Sequence, residues 1–262
     1  MENIFLPSKI ELQEGQNPNE GILIVEPLYH GYGTTIGNTL RRVLLSSLVG
    51  AAVTSVKIKG ITHEFSAIPG IHEDVLELVL NLKQLRLKLF TDEPVVLKLV
   101  KKGIGDVLAE DISKNSDVQI INPDLKIATI TDKSITLDME LIVEKGRGFD
   151  PTENRDKSKL SVGSIAIDAI YTPIKDVGYK VELTRVGQIT NYDKLILNIE
   201  TDGTISPQEA LNIAAKILID HYSLVIKEVP IVQAKISDQG EKKAKIKTAK
   251  KTAKKTSKKS KK

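Results

Sequence analysis

What most constrains this chain is a hairpin-then-helix signature that occurs at both of its ends. Near the front, "KIELQEG" and "GILIVEPL" are short, partly alternating runs separated by the turn formers "QNPNEG", and a helical pattern follows them. Near the back, strand-prone "SIAIDAIYTPI", "GYKVELTRV" and "KLILNIET" lead through an Asp202-Gly203 turn into another helical pattern. From 85 to 145 lie short β-prone runs, "PVVLKLV", "IATIT" and "SITLDMELIVEKG", broken by "KKGIGD", "SKNSD" and "NPD". Such close alternation of strand and turn predicts a small, mostly β block. The order predicts an α+β protein whose first and last thirds pack together, with the middle inserted between them.

The front helix is written in "HGYGTTIGNTLRRVLLSSLVGAA", residues 30–52. Ile36, Leu40, Val43 or Leu44, and Leu48 recur at steps of three and four and so share one face. Thr34 or Thr35 is placed to cap its start and Gly50 to end it. Most of its circumference is apolar, and a helix with only a narrow polar strip is usually buried in more than its own domain. That favours a protein interface with Arg41-Arg42 at its edge, suited to a partner's carboxylates or carbonyls; a plain core helix with a solvated arginine pair is the alternative. The back helix opens on "SPQE", with Ser206 as cap, Pro207 in the first turn and Glu209 closing a capping box. Its stripe carries Leu211, Ala214 or Ala215, Leu218 and Tyr222. A further helix, "HEDVLELVLNLKQLRL", begins with Glu73 and Asp74, where the helix dipole favours acids. "AAVTSVKIKG" and "ITHEFSAI" read as strands, and the polar "KGRGFDPTENRDKSKL" as an exposed loop.

Gly31, Gly33 and Gly37, ahead of the front helix, raise the question of a phosphate-binding loop. Their spacing is G-x-G-x-x-x-G, where a dinucleotide fingerprint needs G-x-G-x-x-G and a P-loop ends in G-K-[ST]. No Lys-Ser or Lys-Thr follows, so a flexible entry into a helix fits better, with a nucleotide-binding enzyme as the competing reading. His30, His63, His72 and His221 fall into no metal-ligand spacing, and neither G-x-S-x-G nor a placeable Ser-His-Asp set occurs. With no cysteine, disulfides, Cys-based zinc sites and thiol catalysis are excluded. No catalytic, cofactor-binding or metal-binding residue is expected. Aromatics at 4% without tryptophan argue against base stacking as a way of holding single strands. The start, "MENIFLPSKIELQEG", has no basic n-region followed by an apolar stretch, and the run Val43 to Val53 is about half of the ~20 residues a membrane helix needs. The absence of cysteine is compatible with a reducing cytoplasm. A soluble, cytoplasmic chain without a membrane partner is the expectation.

The formal net charge of +4 averages two unlike pieces. From Lys235 onward, thirteen lysines stand against Asp238 and Glu241, a net of +11, while the remainder carries −7. The basic segment is of low complexity, has almost no apolar content and is expected to be disordered alone. Its lysines, among them Lys250, Lys251, Lys254, Lys255, Lys258 and Lys259, suit salt-sensitive, sequence-independent DNA binding through counterion release. A solubilising tail is the bland alternative. A free-standing, nonspecific DNA-binding protein acting through this tail is the competing function.

The stretch from "HGYGTTIGNTLRRVLLSSLVGAA" to "NLKQL" closely resembles the signature region of the bacterial RNA polymerase α subunit family. "KGRGFDP", "IDAIYTPI" and "LILNIETDGTISPQEALNIAAKIL" resemble its later segments in the same order, so the likeness runs from near residue 3 to about 228. The resemblance implies a dimerisation subdomain made of residues 1–49 and 173–230, an inserted β-rich subdomain at 50–172, and the lysine-rich tail from 231. It implies a homodimer built through Ile36, Leu40, Leu44, Leu48, Leu211 and Leu218, on which the β and β′ subunits assemble. Arg42 matches the second arginine of the family's N-x-L-R-R-x-L-L-S-S motif, which touches β, and Leu45 lies in the same motif. Lys83 and Ile167 match positions tied to β′ assembly, and the "KGRGF" loop with Arg147 aligns with a loop at the large-subunit interface. The resemblance makes the chain part of a nucleotidyltransferase, DNA-directed RNA polymerase, with the catalytic magnesium in β′. Family members usually continue into a compact helical domain that binds upstream promoter DNA, where this sequence has its lysine-rich tail.

Overall fold

The computed structural model describes residues 4–155 and 163–228. In chain order the elements are β1 (Lys9–Glu14), β2 (Glu20–Leu28), α1 (Tyr32–Ser47), β3 (Val49–Ile58), α2 (Val75–Leu82), β4 (Leu87–Leu89), β5 (Val95–Lys102), β6 (Gly105–Leu108), β7 (Val118–Ile120), β8 (Lys126–Ile130), β9 (Thr136–Arg147), β10 (Phe149–Asp150), β11 (Ser164–Ala166), β12 (Ala169–Ile170), β13 (Ile174–Val186), β14 (Ile189–Thr201) and α3 (Pro207–Glu228). The body up to Asp220 is one compact unit, and His221 onward belongs to another. In that second unit, the last helical turns expose Tyr222, Leu224, Val225 and Ile226.

The two ends of the chain share one antiparallel sheet of order β1-β2-β14-β13. The β1/β2 hairpin runs in register from Lys9 opposite Glu26 to Glu14 opposite Gly21, and β14 adds to β2 from Leu28 opposite Asp193 to Glu20 opposite Glu200. Leu23, Val25, Leu195, Leu197 and Ile199 alternate inward along these strands and meet Leu44 of α1, Leu48 just past its end, and Ala210 and Ala214 of α3 in one core. The small alanines bring α3 close to the sheet; Gly21 does the same, since a side-chain carbon there would lie 2.6 Å from Pro207 Cβ. Ser206 and Glu209 exchange hydrogen bonds at the start of α3, the reciprocal cap expected from "SPQE".

The middle of the chain builds a second core. A six-stranded sheet of order β5-β9-β3-β4-β7, with β11 paired to β3, packs against α2 and the β6/β8 hairpin. Alternation is clean: Leu97 and Leu99 of β5, and Leu137, Met139, Leu141 and Val143 of β9, all point inward. Helix α2 buries Val75, Leu78, Val79 and Leu82, an i, i+3, i+4, i+7 stripe, and Asp74 caps it by accepting the Glu77 N–H at 2.7 Å.

Several local expectations are corrected. α1 begins at Tyr32 behind Gly31, whose φ of 80° suits glycine, so Thr34 and Thr35 lie inside the helix rather than capping it. The helix ends at Ser47, and Gly50 is a strand residue of β3. "ITHEFSAI" forms no strand: Phe65 is exposed there and the chain turns through His63–Ser66. Glu73 precedes the cap instead of lying in the first turn; it is buried and accepts from the Thr129 N–H and hydroxyl at 2.6 and 2.9 Å.

Candidate functional site

Two of the three glycines, Gly33 and Gly37, lay α1 on the sheet. A side-chain carbon at Gly33 would meet Val181 Cγ1 at 2.9 Å, and one at Gly37 would meet Leu195 Cδ1 and Tyr179 Cδ2 at 2.8 Å. The Gly33 N–H, a donor that a phosphate loop would aim at an anion, is instead satisfied by the buried Asp193 carboxylate at 3.0 Å. An acid already occupies that donor, which counts against the nucleotide-binding reading. Arg41 donates through Nε to the Val177 carbonyl at 3.0 Å and so belongs to the same packing. Arg42 is exposed, and its guanidinium has no hydrogen bond or ion pair among the described residues.

The apolar stripe of α1 lies on the sheet, sealed toward its C-terminal end and half-buried toward its start. Leu44 and Leu48 are 0% and 2% exposed within this single chain. Their side chains therefore have no surface left for a second copy, which corrects their expected place in a dimer contact. Ile36 and Leu40 are only half-buried, as is Leu45. Ile36 and Leu40 line a groove of about 650 Å³ with the N-terminal arm, Tyr32 and Leu211. The arm residues Ile4, Phe5 and Leu6 are 58%, 62% and 87% exposed, and Ile10 is 67% exposed. Leu218 is half-buried, with Ile219 beside it exposed. Sequence reading missed the arm because "IFLP" is too short to show a period; three consecutive large apolar residues outside any element were its signal.

A second cluster lies in the inserted subdomain, where "KGRGFDPTENR" is a strap rather than a plain exposed loop. Lys83, the C-cap of α2, places its ammonium 2.9 Å from Asp168 Oδ2, and Asp168 Oδ1 accepts the Thr152 N–H at 2.9 Å. The Thr152 amide first, and then the lysine, hold the Asp168 carboxyl down at about 2. Arg155 donates to Asp150 Oδ2 at 2.6 Å and to the carbonyls of Thr54 and Ile167 at 3.1 and 3.0 Å. Ile167, expected at a position tied to β′ assembly, is 1% exposed and belongs to the core of the inserted subdomain. Arg147 is exposed at the end of β9. Lys250, Lys251, Lys254, Lys255, Lys258 and Lys259 lie outside the described residues. Among the described residues, no group of three or more His, Asp or Glu is arranged to hold a metal ion, and no helix is long and apolar enough to cross a membrane.

Residues 56–172, which make up nearly all of the inserted subdomain, match the family model described as the RNA polymerase Rpb3/RpoA insert domain. The class is thus that of chains carrying this insert. Along most of its length the chain is also similar to proteins named DNA-directed RNA polymerase subunit alpha. It is 47% identical to that of Alkaliphilus metalliredigens, covering 91% of this chain and 76% of the relative. The identity is 50% with that of Desulforamulus reducens over the same shares, and 51% with that of Symbiobacterium thermophilum over 85% and 72%. The chain belongs to the bacterial DNA-directed RNA polymerase α subunit family. Membership makes it a non-catalytic component of the transcribing nucleotidyltransferase, one that assembles with other polymerase subunits.

Proposed function

We propose that this chain is the homodimeric scaffold on which the β and β′ subunits assemble, with the catalytic magnesium held by β′ and the work done in the cytoplasm. The observation that supports it most is the apolar groove between the N-terminal arm, α1 and α3, where Ile4, Phe5, Leu6, Ile10 and Tyr32 are exposed and Ile36, Leu40 and Leu211 are only half-buried. Contiguous apolar surface of this kind marks an interface, and a two-fold related copy offers the same surface in return. Ile36, Leu40 and Leu211 belong to that contact. Arg42 and Leu45 turn toward β, and the Lys83 side of the inserted subdomain toward β′. The family assignment favours this reading over a free-standing DNA-binding protein, and the lysine tail adds a nonspecific hold on DNA. The test is co-purification: two copies of the chain with one β and one β′ are expected, and a chain that stays monomeric and captures neither overturns the reading. Arg42→Ala is expected to remain a folded dimer that fails to capture β; loss of fold and dimer together marks Arg42 as structural.

A further inference from the structure

The sheet shared by the two chain ends stops at β13. In its order β1-β2-β14-β13, no strand pairs with the outer side of β13 among the described residues. Backbone pairing fixes what that side offers. The Thr201 N–H at the end of β14 donates to the Asn19 carbonyl, beside β2, at 2.9 Å. Odd-numbered residues of β14 thus turn their backbone groups to β2 and even-numbered ones to β13, where their register partners are Asp176, Gly178, Lys180 and Glu182. Val177, Tyr179, Val181 and Leu183 therefore direct their N–H and C=O groups outward. At one end Arg41 Nε donates from that side to the Val177 carbonyl at 3.0 Å. At the other, an irregularity between Thr184 and Val186 breaks the run. From Tyr179 to Leu183 the edge is open, and such a row of unpaired backbone groups is a template for another strand.

The side chains select the strand that fits. Tyr179, Val181 and Leu183 share the face that carries α1, and Leu183 is 72% exposed. Lys180 and Glu182 share the other face, 2.8 Å apart. In an antiparallel pair of two copies centred on Val181, each Lys180 stands opposite the partner's Glu182, and each Leu183 opposite the partner's Tyr179. Centring on Lys180 or on Glu182 instead sets like charge against like, and centring on Tyr179 sets Glu182 against the partner's Asp176. Centring on Leu183 runs into the irregularity. Charge therefore favours one register. Space permits it too: α1 runs from Gly33 beside Val181 to Arg41 beside Val177, so the two helices start near the centre and diverge.

The geometry points to a second self-contact: two copies of the chain pair edge to edge through residues 179–183 of β13, antiparallel about Val181. It lies across the sheet from β1 and the apolar groove, and it goes beyond the scaffold reading without depending on it. Two isologous contacts on one chain let dimers of the unassembled protein join in pairs. So short a pairing is weak and shows itself at high protein concentration.

Sedimentation of the full-length chain, freed of nucleic acid, over about a hundredfold range of concentration tests it. The wild type is expected to gain mass reversibly, and less at high salt. Glu182→Lys and Lys180→Glu, each alone, set like charges opposite one another and are expected to weaken the association about tenfold or more, with the melting transition unchanged. The two together recreate the complement and restore it. Leu40→Asp removes the groove contact, so in that background the same charge pattern should govern a monomer–dimer step. Mass that does not rise with concentration in either background overturns the inference, as does association indifferent to the single swaps or not restored by the double one. A wild-type chain that is monomeric when dilute, and pairs only with this charge dependence, upholds the edge contact and overturns the groove dimer of the scaffold reading.

Discussion

Gly50 is held by a backbone contact that no side chain tolerates. A carbon added there would sit 1.8 Å from the Tyr171 carbonyl oxygen, a backbone atom that cannot swing aside as a side chain would. Gly50→Ala is expected to destabilise the chain by about 1–3 kcal/mol, read as a lower melting temperature. Asp168 gives a pH signature. Its carboxyl titrates at about 2 when folded against 3.8 for an unperturbed aspartate, so the clamp's contribution is fully present above about pH 4 and is lost as pH falls toward 2. The melting-temperature gap between wild type and Asp168→Asn should therefore be constant near neutrality and close below about pH 4; a gap independent of pH across that window removes the clamp from the account. At this scale the sequence names the residues but not their partners. Lys83 and Asp168 are 85 positions apart, and nothing local pairs them.

Among the elements, α1 decides most, because the two ends of its apolar stripe have different fates. Leu44 and Leu48 enter the sheet core, while Ile36 and Leu40 remain on the groove. Leu40→Asp should consequently leave the fold nearly as stable as before and shift the chain from dimer to monomer in sedimentation. Leu44→Asp places an unpaired charge in a fully buried position and should unfold it. A Leu40→Asp chain that stays dimeric excludes the groove as the dimer contact. The helix period was legible in the sequence, and so were the Ser206–Glu209 cap and the Asp74 start of α2, since each rests on residues three or four apart. Which turns of the stripe are sealed and which stay half-exposed was not legible, because that depends on what packs against each turn and not on the period. The same ambiguity concealed the glycines: G-x-G-x-x-x-G looks like a loop signal until Val181, Tyr179 and Leu195 of the sheet are seen to require the space.

Over the whole molecule, charge is divided between an acidic body and the basic segment from Lys235, at −7 and +11. Deleting residues from 235 onward should flatten the dependence of promoter affinity on salt, by about 0.9 in log–log slope for each phosphate that the tail had neutralised; an unchanged slope ends the tail's role in DNA binding. What the sequence alone determined is everything carried by local period and composition: the two end hairpins, the helices, the β-rich middle and the charge split. The tertiary structure alone decided how the ends join through β2 and β14, why Gly33 and Gly37 lie inside α1, and that Ile167 and Leu44 are core while Phe149 and Ile170 are surface. The physical reason is that burial and pairing depend on residues far apart in the chain, whose juxtaposition follows from packing two cores and not from any local preference.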